Sequence, residues 1–333
     1  MAFAGVDRLF RFLNRNKLLV IMYHSVTSED FVPPVWTQLP ANLFRSQLEF
    51  LRDHYRFVTL GETVEAIRTN KRFSKRAALV TFDDGLKNNF DVAFPILKDL
   101  GVPATIFLTV DLIGTKEILW FDECFLLLRE AAIRNLQPAI PGALALEYFL
   151  GGRVWDAYVA CVEQMKRSGY EKRQSQMEKL RVSVPADKGR WLANFGFLDW
   201  DEIKCMQRSG LIDFGVHTAS HCILTELAED RWEREIVEPK LKLEARLGTK
   251  VEAFCYPNGR PAIDFYSRHM EYLRKRGYVC AFTTEEEIFS WLGAENMAIG
   301  RVPVGNDGTS EPAYFRLNTS GAIHFMRRAW PIK

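Results

Sequence analysis

Short runs of hydrophobic residues recur along the chain, and each run is bounded by polar or turn-forming residues. These runs cover residues 18–23, 77–82, 104–110, 212–216, 251–256, 278–283 and 297–302. Their length and their content of β-branched and aromatic residues predict β-strands that are buried in the interior.

Segments whose hydrophobic residues have helical spacing separate these strands. The predicted helices cover residues 43–54, 90–100, 228–247 and 264–276. The last three end at Gly101, Gly248 and Gly277, where a helix C-terminus commonly has glycine. Because strands that alternate with helices form parallel sheets or barrels, the sequence predicts an α/β fold.

The alternation stops between residues 115 and 196. In this stretch, residues 120–135, 154–168 and 170–182 predict consecutive helices without an intervening strand. We therefore predict one domain over residues 1–333 that carries a helical insertion at 115–196.

Composition excludes some classes of function. The 44 basic and 42 acidic side chains give a net charge of +2, so no general electrostatic field favours nucleic acid, and we expect no nucleic-acid partner. The six cysteines form no CxxC pair, which argues against a zinc ribbon and against a disulfide framework.

The N-terminal residues suggest a location. Residues 1–20 lack the apolar core and cleavage site of a secretory signal, and no stretch approaches the roughly 18 apolar residues of a membrane span. We expect a cytoplasmic protein. In the predicted helix at 6–16, Arg8, Arg11 and Arg15 lie among hydrophobic residues. Such a helix can either pack on its own domain or make peripheral contact with the inner face of the membrane.

Adjacent carboxylates follow one predicted strand. Asp83 and Asp84 precede Gly85 at the end of the strand 77–82, where parallel sheets and barrels place catalytic groups. If the two side chains diverge, one can bind a metal ion while the other acts on a bound water. The alternative is an ordinary Asp-Gly turn in which an aspartate caps the next helix.

Two histidines follow the predicted strand 212–216. His217 and His221 are four positions apart, so both can face one metal ion if the chain turns helically after the first. With Asp84 they would give three protein ligands and leave positions open for water and substrate. An HxxxH pair also occurs among surface and core histidines, and the position after a strand is what favours a metal site.

Two further strand ends carry candidate groups. Residues 256–259 read Tyr-Pro-Asn-Gly, a tight loop that either presents a backbone N–H to a developing oxyanion or is an ordinary turn. His24 follows the first predicted strand and should open onto the same end of the sheet. It suits the role of general acid or a structural role.

Together these motifs resemble the polysaccharide deacetylase (NodB-homology) family of carbohydrate esterases. In chain order they are TFDDG at 81–85, GVPATIFL at 101–108, HTASH at 217–221, FCYPNG at 254–259 and GY at 277–278. The resemblance implies a distorted (β/α) barrel of about seven parallel strands. It also implies a hydrolase that removes an acetyl group from an N-acetylated sugar.

The resemblance extends to the roles of single residues. Asp83 matches the family's catalytic base, and Asp84, His217 and His221 match its metal ligands. One divalent metal ion is therefore implied. Ligand chemistry makes zinc the first expectation, and nickel, cobalt or iron(II) suit the same ligands.

One departure from the family concerns the loop after the predicted strand 251–256. Tyr256 and Pro257 match one wall of the substrate groove, where a backbone amide helps the metal ion to bind the oxyanion. The family has an arginine two residues before the proline to orient the catalytic aspartate, but this chain has Cys255 there. Arg260 and Arg301 are the candidates for the missing guanidinium, and we include Arg301 among the site residues.

The second departure concerns the general acid. The family's usual leucine-x-histidine motif has no clear counterpart, since His324 lies late in a basic tail. Some members that act on poly-N-acetylglucosamine take the acid from an N-terminal Tyr-His pair, which Tyr23 and His24 resemble. We therefore predict that His24 is the acid.

These inferences predict a metal-dependent deacetylase that acts on a glycan or a glycan precursor. The expected partner is an acetamido sugar that is lipid-linked or nucleotide-linked. The same metal site could instead act on an N-formyl or O-acetyl group, and a catalytically impaired glycan-binding module is a further alternative.

Overall fold

The computed structural model describes residues 5–291, 293 and 295–329. Its strands are β1 (Leu18–Tyr23), β2 (Ser25–Thr27), β3 (Gln38–Pro40), β4 (Arg56–Phe57), β5 (Ala77–Phe82), β6 (Ala104–Leu108), β7 (Ile212–Val216), β8 (Ala253–Cys255), β9 (Cys280–Phe282) and β10 (Val302–Pro303). Every residue of the longest strands, β1 and β5, is buried.

The main sheet has the strand order β10-β1-β5-β6-β7-β8-β9, and all of these pairings are parallel. β4 pairs with the start of β5, and β2 and β3 form a separate small sheet. The predicted α/β fold with about seven parallel strands is confirmed.

The sheet curls because one segment contacts both of its edges. Ile299 forms a parallel bridge with Phe282 of β9, and three residues later Val302 pairs with Ile21 of β1. The predicted strand 297–302 is therefore reduced to β10, since its hydrogen-bond partners change from β9 to β1 along its length. This change of partner brings β9 and β1 together as in a distorted barrel.

The helices are α1 (Val6–Leu13), α2 (Ala41–His54), α3 (Leu60–Thr69), α4 (Phe94–Leu100), α5 (Trp120–Arg134), α6 (Ala143–Leu150), α7 (Val154–Arg167), α8 (Tyr170–Ser183), α9 (Leu192–Phe195), α10 (Trp200–Arg208), α11 (Glu238–Leu247), α12 (Ser267–Lys275), α13 (Pro312–Ser320) and α14 (Ala322–Ala329). Along the described residues, none of them is both long and apolar enough to span a membrane.

The chain divides into two compact units. One contains the main sheet and comprises the residues up to Thr115 and those from Phe197 onward, and the other is Lys116–Gly196. The second unit consists of helices α5 to α9. Within it, the buried carboxylate of Glu123 accepts two hydrogen bonds from Arg181, at 2.9 and 2.7 Å.

Strand register brings the ends of β1 and β5 level with each other. The pairing runs from Leu18 opposite Ala77 to Tyr23 opposite Phe82. The N–H of Asp83 donates to the carbonyl of Tyr23 at 3.0 Å, which extends the ladder beyond both strands. His24 and the two aspartates therefore emerge together from neighbouring strands.

Gly215 in β7 allows the closest packing inside the sheet. A Cβ at this position would lie 2.5 Å from two ring atoms of Phe107 and 3.0 Å from the carbonyl oxygen of Ala253. The Phe107 ring is itself fully buried and contacts Phe282, with ring centroids 5.2 Å apart. The ring therefore has no room to move aside.

We expect Gly215→Ala to lower the free energy of unfolding by about 1–3 kcal/mol, because the added methyl group overpacks the core. Gly308→Ala is the matched control, since a Cβ there meets no atom within 4 Å. Chemical denaturation measures both variants. Equal stability of the two would show that the sheet relaxes around Phe107.

Candidate active site

The candidate groups meet at the carboxyl ends of the parallel strands. Asp83 and Asp84 follow β5, His217 follows β7, and His24 follows β1. The N–H of His217 donates to the carbonyl of Leu108 at 2.8 Å, so it continues the β6–β7 ladder. Asp83, Asp84 and His217 are all buried.

The turn after β5 sends the two aspartates in different directions. Asp84 has a φ of 72° and Gly85 a φ of 78°, a left-handed conformation that aspartate tolerates better than most residues and that favours glycine. A Cβ on Gly85 would lie 2.6 Å from Cδ2 of Leu108. The sequence Asp-Asp-Gly thus produces two carboxylates with separate surroundings.

Asp84 lies opposite two imidazoles. Nε2 of His217 is 3.4 Å and Nε2 of His221 is 3.2 Å from Oδ1 of Asp84. Nδ1 of His217 is 2.9 Å from the carbonyl oxygen of Cys255; since a carbonyl can only accept, Nδ1 carries the hydrogen. The lone pair on Nε2 is thereby directed toward Asp84, as in histidines that bind metal ions.

The oxygens of Asp84 fit a cation. Both are buried, and within the described residues neither accepts a hydrogen bond. Burial alone would raise the pKa of Asp84, but His217 and His221 in their protonated form hold this pKa well below its ordinary value. When the two imidazoles are neutral, a metal cation would have to supply that positive charge. A buried anionic carboxylate without hydrogen-bond donors is costly unless a cation neutralises it. Asp84, His217 and His221 are therefore the residues that could hold a divalent metal ion.

The His217–His221 segment does not turn helically, although a helical turn was the condition under which the sequence allowed both histidines to face one metal ion. Thr218 and His221 both have a φ of 61°, so the backbone is left-handed at two points. The two imidazole centroids are nevertheless 5.0 Å apart. Two left-handed residues thus bring the rings together without a helical turn.

Glu235 supports this segment and was not identified from the sequence. Its buried carboxylate accepts hydrogen bonds from the N–H and the hydroxyl of Ser220, at 3.0 Å each, and its carbonyl accepts one from the N–H of Ala219. Glu235 lies in a predicted helix, where nothing in the local pattern distinguishes it from a surface glutamate.

Asp83 pairs with Arg301. The two guanidinium nitrogens Nη1 and Nη2 donate to Oδ1 and Oδ2 of Asp83, at 2.7 Å each, and Arg301 is fully buried. Burial raises the pKa of Asp83, but the charge of Arg301 outweighs burial and leaves this pKa below its ordinary value. Arg260 instead pairs with Asp264. Arg301 therefore supplies the guanidinium that orients Asp83.

Cys255 fills the space beside this ion pair. Its Sγ accepts a hydrogen bond from Nη2 of Arg301 at 3.1 Å and lies 3.5 Å from Oδ1 of Asp83. Burial raises the pKa of Cys255, so the thiol keeps its proton and can donate to Asp83. Asp83, His217 and Cys255 also form a close cluster, but it suits a metal ion less well because Arg301 already binds both oxygens of Asp83.

His24 lies against Trp36, with ring centroids 5.0 Å apart. Its carbonyl accepts a hydrogen bond from Asn89, and its Nδ1 is buried without a hydrogen-bond partner among the described residues. Burial lowers the pKa of His24, and the charges of Asp84 and Asp83 offset only part of this effect. His24 follows β1, which pairs in register with β5, so it lies at the same end of the sheet as the two aspartates.

Comparison with known proteins supports the same conclusion. The sequence model of a family described as "Polysaccharide deacetylase" matches residues 70–281, more than half of the chain. The chain belongs to the polysaccharide deacetylase family. Family membership confirms the resemblance that the sequence motifs suggested.

Individual relatives match this deacetylase-family protein over fewer residues than the family model does. YxkH of Bacillus subtilis is 35% identical over 101 residues, which cover 30% of this chain and 34% of that protein. The poly-β-1,6-N-acetyl-D-glucosamine N-deacetylase of Staphylococcus epidermidis is 31% identical over 113 residues, 30% of this chain and 39% of that protein. The matches thus span little more than a third of these relatives.

Solved structures of deacetylases match over most of the chain. The deacetylase PplD of Streptococcus pyogenes has a TM-score of 0.60 at 18% identity, covering 92% of this chain and 99% of that one. IcaB of Ammonifex degensii has a TM-score of 0.57 at 20% identity, covering 92% and 97%. At these identities the likeness shows the shared barrel fold.

The structure of the loop after β8 corrects the oxyanion-binding role that the sequence suggested for Tyr256. The N–H of Tyr256 donates to the carbonyl of Phe282, its hydroxyl donates to Met297, and its ring stacks on Phe265. Tyr256 is therefore a core residue, and Pro257 has no N–H. Within the described part of the loop, the N–H without an acceptor is that of Asn258.

His324 does not join the site. It lies on α14 and lines a cavity of about 900 Å³ together with Phe10 and Leu13 of α1. None of the residues grouped after β1, β5 and β7 lines this cavity. The structure thus brings His24, and not His324, to the carboxylates.

The Arg301–Asp83 pair predicts an inverted pH dependence of stability in Arg301→Gln. In the wild type, the pKa of Asp83 is lower in the folded state than in the unfolded state. The ionised Asp83 carboxylate therefore stabilises the fold at pH values above its unfolded-state pKa, and this stabilisation is lost as the pH falls through its folded-state pKa. Without the guanidinium, burial raises this pKa. The variant should be about 3–5 kcal/mol less stable at pH 7 and regain part of this as pH falls.

Denaturation between pH 7 and pH 5 measures this effect. Arg45→Gln is the control, since the ion pair of Arg45 with Asp99 is exposed and loss of this pair should cost about 1 kcal/mol or less. If Arg301→Gln lost stability steadily as pH fell, Asp83 would not be the group that Arg301 keeps ionised.

Proposed function

We propose that the protein removes the acetyl group from an N-acetylated sugar of a glycan or glycan precursor, with one divalent metal ion. The observation that carries the proposal is the pair of adjacent buried carboxylates in different surroundings. Asp83 is bound by a guanidinium, whereas Asp84 accepts no hydrogen bond from the residues that the structure describes and lies opposite two imidazoles. Metal-assisted hydrolysis of an amide uses both an ionised base and a cation.

The base in this proposal is Asp83. Arg301 keeps its carboxylate ionised and fixes its orientation through two hydrogen bonds, so it can accept a proton from the attacking water. Asp84, His217 and His221 would hold the metal ion. Such an ion supplies polarisation of the acetamide carbonyl and a lowered pKa of bound water.

Two groups serve the later part of the reaction. The N–H of Asn258 is available to stabilise the oxyanion of the tetrahedral intermediate, a contribution of about 10²–10³ in rate at comparable sites. His24 donates a proton to the departing amine. The products are acetate and a free amino sugar.

The substrate class follows from the relatives. The Staphylococcus epidermidis relative is named for poly-β-1,6-N-acetyl-D-glucosamine, so oligomers of this glycan are the first substrate to test. Zinc is the first metal to test, because two imidazoles and one carboxylate are common zinc ligands. The cytoplasmic location and a lipid or nucleotide linkage of the sugar stay predictions.

Metal binding tests the assignment of the ligands. The purified protein should contain about one divalent ion per chain, and His217→Ala or His221→Ala should lower its affinity about 10²-fold or more because a ligand is removed. Elemental analysis after dialysis measures the content. His54→Ala is the control, since His54 lies on α2. Full metal content in both ligand variants would contradict the assignment.

Asp83→Asn should lower kcat for deacetylation about 10²-fold or more, because the amide cannot accept the proton. Metal content should remain unchanged, which separates the base from the ligands. Release of acetate from N-acetylglucosamine oligomers is the assay, with N-formyl and O-acetyl sugars measured in parallel. Faster release from either of these would change the substrate class while leaving the site in place.

His24→Ala should lower kcat about 10²-fold and remove the alkaline limb of the pH profile, which reports a group that must be protonated. Because the pKa of His24 is lowered, this limb should lie below the ordinary histidine value of about 6.5. His324→Ala is the control and should keep the wild-type profile. A severe loss at His324 with a mild one at His24 would reverse the assignment.

A further inference from the structure

Four large hydrophobic side chains lie exposed on two adjacent helices. Leu9, Phe12 and Leu13 of α1 are 55%, 58% and 58% exposed, and Phe325 of α14 is 54% exposed. Leu9, Phe12 and Leu13 have the spacing that places side chains on one helix face. Leu13 and Phe325 line the same cavity. We call these four residues the apolar patch.

Basic side chains lie beside the apolar patch. Arg15 is stacked over the ring of Phe12, with Cζ 4.3 Å from the ring centroid. It also lines a cavity of about 490 Å³ with four further cations, Arg52, Arg56, Lys75 and Arg76, of which Arg56 is paired with Glu62. Arg8 and Arg316 line a neighbouring cavity. We call Arg8, Arg15, Arg52, Lys75, Arg76 and Arg316 the basic rim.

The acidic groups nearby do not neutralise the basic rim. Asp53 lines both of the rim's cavities, Asp7 is paired with Arg11, and Glu286 is paired with Arg327. Glu287 and Glu295 line the cavity on the far side of Leu13. The residues that line the rim's two cavities thus include more basic than acidic side chains, although the net charge of the whole chain is only +2.

This surface lies at the opposite end of the strands from the candidate active site. α1 leads directly into the start of β1 at Leu18, and Arg76 directly precedes β5 at Ala77, whereas His24 and Asp83 follow the other ends of these strands. Six residues of strand separate the two ends, which corresponds to about 20 Å.

We propose that the apolar patch and the basic rim dock the protein onto an anionic lipid bilayer. Leucine and phenylalanine on an amphipathic helix with arginine beside them are the chemistry that enters the boundary between headgroups and acyl chains. The arginine and lysine heads bind lipid phosphates, while their stems lie along the apolar side chains. Docking in this orientation leaves the active-site end facing the solution.

Sedimentation of the full-length protein with vesicles tests the proposal. Vesicles with about 30% phosphatidylglycerol should bind it at least tenfold more tightly than vesicles of phosphatidylcholine alone, because each basic residue near an anionic surface contributes about fivefold. Raising the salt to about 0.5 M should abolish most of this difference. Equal binding to both vesicles would overturn the proposal.

Variants distinguish this surface from the rest of the protein. Phe12→Glu and Leu13→Glu should each weaken vesicle binding at least tenfold, since a charge replaces an inserted apolar side chain. Arg15→Glu should weaken binding to anionic vesicles alone. Leu241→Glu on α11 is the matched control, since Leu241 is 56% exposed and lies on another helix. Wild-type binding by Phe12→Glu and Leu13→Glu would overturn the proposal.

A second copy of the chain is the competing occupant of this surface. Light scattering in the absence of lipid should show a monomer for the wild type and for Phe12→Glu, and a wild-type dimer that Phe12→Glu dissociates would overturn lipid docking. Deacetylation of a soluble acetamido sugar should be unchanged in Phe12→Glu. The outcome of vesicle binding is thus independent of whether the proposed deacetylase activity is found.

Discussion

A fully buried guanidinium must satisfy all of its N–H groups, and Arg301 does so by contacting several strands at once. Its Nε donates to the carbonyl of Thr283 after β9, and Nη1 donates to the hydroxyl of Thr81 in β5. Nη1 and Nη2 bind Asp83, and Nη2 also reaches Cys255 at the end of β8. Since burying an unpaired charge costs several kcal/mol, the curl of the sheet and the orientation of Asp83 depend on each other.

The same pairing explains how two neighbouring aspartates acquire different chemistry. Arg301 uses both oxygens of Asp83, so this carboxylate is neutralised within the protein. The left-handed backbone of Asp84 turns its side chain away from Arg301, and its carboxylate faces the imidazoles of His217 and His221, which can bind a metal ion when they are neutral. A cation from solution is the simplest partner for such a buried carboxylate. The division between a proton acceptor and a metal ligand thus arises from one turn and one arginine.

The two ends of the strands have contrasting surfaces. At the carboxyl ends lie buried charged side chains that are paired or face one another. At the amino ends lie the exposed apolar side chains and the exposed basic side chains. Buried, oriented charge suits catalysis because it needs no reorganisation during the reaction. Exposed charge beside apolar surface suits binding to an extended anionic surface. A parallel barrel keeps these two properties about one strand length apart.

The sequence by itself determined the α/β fold and the placement of the candidate groups at strand ends. Strand and helix periodicity is local, and the carboxyl ends of parallel strands must meet at one edge, so Asp83, Asp84, His217 and His24 could be grouped before any coordinates were known. Only the tertiary structure chose Arg301 over Arg260, since Arg301 lies 218 residues from its partner Asp83. It also assigned the available amide to Asn258 instead of Tyr256, and it added Glu235. These features depend on which distant side chains and backbone groups share a buried space, and no local pattern of residues encodes that.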